Sequence, residues 1–331
     1  MPTWKKPSIV AFGTLLTALG TGEGAQAIVT TGTPENYVVP PGDFSGVALL
    51  TLNRSDGPAG CTGSLLTGGL HLLTAAHCLT DERGNFNVID TTAIFELSDS
   101  LFSLDIADDG YFIFPDWIGD GINNEGFARG DDIAVLKLAE PAPSDVEQYD
   151  IYRGADEVGQ VFTQVGYGQG GTGDEGAVLP GGIKRFGQNR FDLLDGIVPD
   201  SQLLFDFDNG LPENDAFGFF GISDLGLGIN EVSTASGDSG GPSFIGNAIA
   251  GVVSYGFTTS SPPDIDTEFN RSFGEFASNT RVSLYAGFVD DAVAGKVSSA
   301  ALVPEPSSVL GALAFGAWGA SSLLRRKNQP S

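Results

Sequence analysis

Short apolar runs alternate with glycine-, aspartate- and proline-rich turns along most of this 331-residue chain, which contains 47 Gly and 18 Pro. Strands separated by frequent turn signals are typical of β-barrels and β-sandwiches. An apolar pattern at 286–293 predicts one short C-terminal helix, whereas 98–129 and 168–225 receive no assignment. The sequence therefore predicts an all-β fold. The clearest strand-like runs are 47–52, 63–66, 71–74, 92–97, 133–138, 161–165, 248–254 and 281–284.

The chain is strongly acidic, with 42 Asp and Glu against 16 Lys and Arg and a net charge of −26. Such a surface repels nucleic acid, and no basic patch is visible away from the termini, so we expect no nucleic-acid partner. We interpret the acidity as a solubility feature and expect no cofactor and no metal. A structural calcium ion at the acidic segments 105–109 or 206–215 is the alternative, although neither has EF-hand spacing.

Residues 1–27 are predicted to be a signal peptide. Two lysines and an apolar stretch at 9–19 precede the small-residue motif AQA at 25–27, which places cleavage by signal peptidase before Ile28. The apolar stretch is too short for a membrane-spanning helix. The pattern therefore predicts export.

Residues 303–331 carry a second terminal pattern, in which VPEP at 303–306 precedes an apolar stretch at 309–324 and a basic cluster at 325–327. This order resembles the PEP-CTERM sorting signal of Gram-negative-type bacteria. The resemblance implies transient anchoring in the inner membrane, cleavage by an exosortase-type enzyme, and delivery to the outer surface or an extracellular matrix. A permanent anchor is the alternative, because the apolar stretch has marginal length for a span.

Two short motifs contain residue types suited to nucleophilic catalysis. GDSGGP at 237–242 surrounds Ser239 with glycines, so the hydroxyl can be exposed in a tight turn while N–H groups point at a substrate oxygen. TAAHC at 74–78 contains His77, and histidine is the usual base that activates such a serine. The other histidine, His71, opens a predicted strand, and we interpret it as structural.

In order and spacing these motifs resemble those of trypsin/chymotrypsin-type serine proteases. The resemblance implies two six-stranded antiparallel β-barrels, roughly 28–145 and 146–295, with the active site between them. A protease domain at 28–302 would then precede the sorting segment. The matching stretches are CTGSLL at 61–66, TAAHC at 74–78, DIAVLKL at 132–138, GYG at 166–168, GDSGGP at 237–242 and SYG at 254–256.

The resemblance also assigns catalytic roles. Ser239 would be the nucleophile that forms an acyl-enzyme, His77 the general base, and Asp132 the carboxylate that orients the imidazole. Asp131 is a rival for the last role, and we interpret it as a solvated neighbour. The backbone N–H groups of Gly237 and Ser239 would form the oxyanion hole.

Four further residues acquire roles in the same way. Cys61 and Cys78 match the disulfide beside the catalytic histidine, and two cysteines in an exported chain favour a disulfide over the alternative of free thiols. In the chain-entropy model this disulfide contributes about 3 kcal/mol. Ile28 and Asp238 would form an activation pair, in which the amino group freed by signal cleavage binds the carboxylate. Export and activation would then be one event.

The specificity pocket would be lined by Ser233, Ser254, Tyr255, Gly256 and Ala277. With serine instead of aspartate at position 233, a buried Lys or Arg side chain would lack a countercharge. We therefore predict an apolar or aromatic residue before the scissile bond, an open pocket entrance at Gly256, and substrate pairing with the strand at 254–256.

The sequence thus predicts an exported serine endopeptidase that acts on polypeptides. The alternatives are a catalytically silent binding protein on the same fold and a structural protein of a surface matrix.

Overall fold

The structure is a computed structural model that describes residues 28–121, 125–259 and 262–302. The predicted signal peptide and sorting segment lie outside these residues. Within the described part, no helix has the length and apolar character needed to cross a membrane.

Six antiparallel strands close a barrel in the N-terminal half, in the order β2-β3-β4-β7-β6-β5. Side chains alternate between the barrel interior and solvent, as the strand period of two requires. In β2, Leu50 and Leu52 are buried while Thr51 and Asn53 are exposed. The first predicted barrel is confirmed. The strands up to this point are β1 (Ile28–Thr30), β2 (Val47–Arg54), β3 (Gly57–Leu65), β4 (His71–Thr74), β5 (Val88–Glu96), β6 (Leu101–Ile113) and β7 (Ala134–Leu138).

The C-terminal half contains an eight-stranded sheet, in which β12-β9-β16-β17-β18-β14-β13 form a path and β8 pairs with β17. A separate four-stranded sheet has the order β11-β10-β1-β15. The described part of the second half therefore forms an eight-stranded and a four-stranded sheet where a six-stranded barrel was expected, and the predicted all-β class is confirmed. Its strands are β8 (Asp150–Ile151), β9 (Val161–Gly166), β10 (Gly170–Thr172), β11 (Gly176–Leu179), β12 (Arg185–Arg190), β13 (Leu193–Asp195), β14 (Gln202–Asp206), β15 (Val232–Ser233), β16 (Pro242–Ile245), β17 (Ala248–Phe257) and β18 (Phe276–Arg281).

The N-terminal strand β1 does not join the first barrel. It pairs in parallel with β10 and antiparallel with β15. Ile28 was expected in the first barrel, but its strand belongs to the four-stranded sheet of the second half. This pairing brings the start of the described chain to the segment that leads into GDSGGP.

Two α-helices are described, α1 (Glu125–Arg129) and α2 (Ala286–Val293). The predicted C-terminal helix is confirmed as α2, and it packs on the first barrel. Its Phe288 ring contacts Phe114 edge-on, with ring centroids 5.3 Å apart. Short 3₁₀ turns lie at Pro34–Tyr37, Ala76–Cys78, Phe217–Phe220, Gly228–Asn230, Val282–Tyr285 and Ala300–Leu302.

One hydrophobic cluster joins the two halves of the chain. It includes Leu50 and Leu73 from the first barrel together with Val165, Phe244 and Val252 from the eight-stranded sheet. Because protein interiors are close-packed, this shared core fixes the two sheets relative to each other. Loops from both halves therefore meet at a defined interface.

Candidate active site

His77 and Asp132 lie at the same end of the antiparallel pair formed by β4 and β7. β4 ends at Thr74 opposite Ala134 of β7, so the residues after β4 and before β7 are neighbours. The imidazole Nδ1 lies 2.7 Å from Oδ2 of Asp132, and the backbone N–H of His77 donates to Oδ1 at 2.9 Å. Two bonds to one carboxylate fix the orientation of the ring.

Asp132 is fully buried, and neighbours from the second half hold it in place. Ser254 donates its hydroxyl to Oδ2 at 2.5 Å, and Thr280 donates to the backbone carbonyl at 2.8 Å. Burial acts to raise the pKa of Asp132, but the attraction of His77 and the hydrogen bonds from His77 and Ser254 outweigh it, so the net shift is downward. The carboxylate is therefore ionised under the imidazole.

The electrostatics of His77 follow from the same contact. Burial acts to lower its pKa, whereas the Asp132 charge and hydrogen bond raise it, and the net pKa lies above the usual 6.5. The pair thus stabilises an imidazolium, which is the state that a general base reaches after it accepts a proton.

Asp131 has different partners from Asp132. It accepts hydrogen bonds from Nε of Arg129 at 3.0 Å and from the Tyr285 hydroxyl at 2.9 Å. It is buried in these contacts, although the sequence suggested a solvated neighbour. Of the two adjacent carboxylates, Asp132 is the one that contacts His77.

The Ser239 carbonyl lies 3.8 Å from Sγ of Cys78, the residue after His77, because Thr62 and Gly240 anchor the Ser239 loop to the first barrel. The N–H of Thr62 donates to the Ser239 carbonyl at 2.8 Å, and the Thr62 hydroxyl donates to the Gly237 carbonyl at 2.9 Å. A β-carbon on Gly240 would lie 2.1 Å from Oγ1 of Thr74, so only glycine allows this approach. Among the hydrogen bonds of the described residues, none joins the Ser239 hydroxyl to His77.

The disulfide between Cys61 and Cys78 is present, with the two Cα atoms 6.4 Å apart. It links the residue before Thr62 to the residue after His77. Because Thr62 binds the Ser239 loop, the disulfide holds the nucleophile and base segments together as well as closing a chain loop. The predicted pairing is confirmed.

Gly237 and Ser239, the predicted oxyanion-hole residues, lie in one turn. Gly237 has φ of +99°, a conformation that favours glycine. The neighbouring N–H groups already have acceptors: Asp238 N–H donates to the Ala235 carbonyl, and Gly240 N–H donates to the Val253 carbonyl. In the described chain the N–H groups of Gly237 and Ser239 donate to no protein acceptor, which leaves both for an oxyanion.

A comparison with known protein families bears on the fold. Residues 37–184 match the Trypsin family profile. No curated protein matches the chain. The matched part contains His77, Asp132 and the disulfide, and it supports a trypsin-type serine protease fold. Ser239 lies beyond it and is placed by the tertiary structure.

Asp238 is a fully buried carboxylate with no ion-pair partner among the described residues. It accepts hydrogen bonds from Gly168 N–H at 2.8 Å and from Ala235 N–H at 2.9 Å. Burial raises its pKa to about 7, while these bonds and two arginines act to lower it. Ile28 pairs with Gly170, only two residues from Gly168, so β1 begins close to this carboxylate.

The residues predicted to line the specificity pocket lie in two different sheets. Ser233 is buried in β15, and Gly256 of β17 pairs with Ala277 of β18. The pairing of β17 with β18 has a β-bulge between Val253 and Tyr255, so Ser254 lies in the bulge and regular alternation resumes from Tyr255 to Gly256. Tyr255 points to the face opposite Gly256, where its hydroxyl donates to Gln202 at 3.0 Å.

Arg271 occupies the space in front of Gly256, where the sequence predicted an open entrance. A β-carbon on Gly256 would lie 1.7 Å from Nη1 of Arg271. This nitrogen is buried and has no hydrogen-bond partner in the described structure. The guanidinium also lies over the Phe269 ring, 4.2 Å from its centroid. No sequence motif indicated Arg271.

Phe127 is a second residue that the sequence did not indicate. It lies in α1, within a segment that received no assignment, and its ring meets the His77 imidazole edge-on at 5.4 Å between centroids. It stacks on Tyr255 at 5.3 Å. Phe127 therefore packs against both His77 and Tyr255.

His71 is buried in β4 opposite Lys137, at the far end of the strand from Thr74. Burial and the Lys137 charge lower its pKa. The surroundings are those of a neutral side chain in a barrel strand.

A group of buried carboxylates outside the active site could hold a metal. One oxygen from each of Asp206, Asp208 and Asp215 lies within 4.8 Å of the other two. Burial and then repulsion by Asp206 raise the pKa of Asp208 to about 10, and burial raises that of Asp206 to about 7. The other group with suitable spacing contains Cys61 and Cys78, whose sulfurs are in the disulfide.

Proposed function

We propose that the protein is a serine endopeptidase that hydrolyses polypeptides through Ser239, His77 and Asp132. The observation that carries the proposal is the buried Asp132 carboxylate, which holds Nδ1 of His77 beside the loop of Ser239. A catalytically silent binding protein would not need this oriented base.

In the proposed mechanism, Nε2 of His77 accepts the proton of the Ser239 hydroxyl as Oγ attacks the substrate carbonyl. The N–H groups of Gly237 and Ser239 bind the negative oxygen of the tetrahedral intermediate. The imidazolium then donates its proton to the leaving amine, which leaves an acyl-enzyme on Ser239. A water molecule, deprotonated by His77, releases the acid and restores the hydroxyl. Covalent labelling of Ser239 by an organophosphonate, absent in Ser239→Ala, tests the proposal.

We propose that the protein is exported and processed at both termini, as the sequence predicts. Cleavage by signal peptidase would free the amino group of Ile28, and an exosortase-type enzyme would remove the C-terminal segment after transient anchoring. The mature enzyme would then act between the periplasm and the outer surface or matrix.

Removal of the signal peptide would activate the enzyme. The Asp238 carboxylate is fully buried, and β1 begins close to it. Ile28 has φ of +62°, which is unfavourable for a β-branched residue inside a chain, and cleavage removes that constraint. The new ammonium group would pair with Asp238 and order the Gly237 turn.

An enzyme with one extra residue before Ile28 should therefore have kcat/KM about 10²- to 10³-fold lower, because loss of a buried ion pair costs about 3–5 kcal/mol. The measurement compares two preparations that differ only in whether the chain starts at Ile28 or at an added glycine. Equal activity of the two, or an active secreted enzyme that starts elsewhere, would contradict the activation pair.

Two kinds of residue are candidates for the position before the scissile bond. The sequence favours an apolar or aromatic residue before the scissile bond, because Ser233 offers no charge. Arg271 favours an acidic residue, because its buried Nη1 has no hydrogen-bond partner among the described residues and lies beside Gly256. Both candidates exclude Lys and Arg.

Peptides that differ only at this residue should be cleaved at least about 100-fold more slowly with Lys or Arg than with the best substrate, since a buried charge without a partner costs several kcal/mol. Arg271→Gln separates the candidates. It should lower cleavage after Glu about 10- to 100-fold if Arg271 binds the acid. It should leave the Phe and Leu rates unchanged. Arg83→Gln, which changes an exposed arginine, is the control, and rapid cleavage after Lys would reject both candidates.

A further inference from the structure

The three carboxylates of Asp206, Asp208 and Asp215 converge at the end of β14, in the part of the chain that leads to the active site. Asp206 is the last residue of β14, and the segment 207–231 connects it to β15, which contains Ser233. All three aspartates are at most 3% exposed. Burial of this many negative groups in one place has a large desolvation cost unless a cation balances them.

The described residues supply no such cation through a direct ion pair. None of the three carboxylates forms an ion pair with a lysine or arginine within residues 28–121, 125–259 and 262–302. Oδ1 of Asp208 is buried and has no hydrogen-bond partner in the same part of the chain. An acceptor left unpaired in a buried site indicates a ligand that fills it.

The remaining contacts orient the carboxylates toward one another. Asp206 accepts the N–H of Phe217 at 2.7 Å, and Asp215 accepts the N–H of Gly218 at 2.6 Å and the Ser223 hydroxyl at 2.7 Å. Next to them, Glu231 accepts the N–H of Asp208 at 2.8 Å. Donors in the surrounding loop therefore hold the carboxylates in place, and the same hydrogen bonds fix the conformation of that loop.

We propose that Asp206, Asp208 and Asp215 bind one calcium ion. Calcium binds oxygen ligands at about 2.3–2.6 Å, so two ligands of one ion lie up to about 5 Å apart. The carboxylate oxygens lie within 4.8 Å of one another, which fits that limit. Magnesium requires a more compact octahedron and retains its waters, so it suits a dry, three-carboxylate site less well. The ion would fix the 207–231 segment that precedes Ser233.

Calcium titration of the full chain tests the site, with Ser239→Ala present to prevent self-cleavage. Isothermal titration calorimetry should give one saturable calcium site. The unfolding midpoint should rise by roughly 5 °C at about a hundred times the Kd. Magnesium at the same concentration should give a much smaller rise. Because neither readout needs catalysis, the result is independent of the proposed protease activity.

Asp208→Asn and Asp215→Asn should each weaken calcium binding at least about 100-fold, in line with the loss of a coordinating charge. Glu213→Gln is the matched control, because it removes one exposed charge from the same loop without contacting the cluster. Absence of saturable calcium binding to the parent chain would overturn the proposal. Equal weakening by Glu213→Gln would also overturn it, since general attraction to an acidic loop would then explain the binding.

Discussion

Replacing Ser239 with alanine should lower kcat for peptide hydrolysis about 10⁶-fold, because it removes the nucleophile and with it the acyl-enzyme route. KM should change little, since the substrate-binding strands stay in place. The oxyanion N–H groups at 237 and 239 remain, so a residual rate above the uncatalysed reaction should persist. Steady-state kinetics on one peptide substrate and phosphonate labelling measure both effects.

Ser236→Ala is the control for this loss, because Ser236 is exposed in the same loop, three residues before the nucleophile. It should keep both labelling and turnover. If Ser239→Ala retained more than a few per cent of activity, or if the label mapped to another residue, the proposed mechanism would be wrong.

Asp132→Asn should lower kcat about 10⁴-fold while the fold remains intact, because an amide in this position favours the wrong tautomer of His77. The parent enzyme should also lose kcat/KM as the pH falls through the raised pKa of His77, which lies above 6.5. Only the neutral imidazole can accept the Ser239 proton. Removal of the Asp132 charge should lower this pKa, so the acid limb of the variant should move to lower pH.

Asp131→Asn is the natural comparison, since it changes the adjacent carboxylate, whose partners are Arg129 and Tyr285. It should affect stability more than kcat and should leave the acid limb where it is. A larger loss of kcat in Asp131→Asn than in Asp132→Asn would reverse the assignment of the two aspartates.

Local sequence patterns predicted most strands of the first barrel and α2, whereas the closure into a barrel came from the family resemblance and β6 lay in the unassigned segment 98–129. Runs such as 47–52 and 133–138 are apolar and bounded by turn residues, and they lie in strands or directly beside them. The same reasoning failed in 168–225, where five strands, β10 to β14, were left unassigned. These strands are short, and all except β13 contain glycine or buried polar residues. Arg185, for example, is 1% exposed and donates to the carbonyl of Pro34.

The extra site residues could not be found in this way. Arg271 lies beside Gly256, and Phe127 contacts His77, although each pair is well separated in the sequence. Arg271 lies in a loop and Phe127 in a short helix, and neither segment has a repeating pattern. The sequence also gives no indication that β1 pairs with β10, because both are three-residue strands far apart in the chain.

The sequence by itself determined which residue types are available for the chemistry. The glycines around Ser239 and the cysteine beside His77 specify their turns through local steric and covalent constraints. Tertiary structure decided that Asp132 contacts His77 while Asp131 binds Arg129 and Tyr285. It also placed a guanidinium at Gly256 and gathered three aspartates at one point. These outcomes depend on packing between the two halves of the chain, and contacts between distant segments leave no periodic pattern in the sequence.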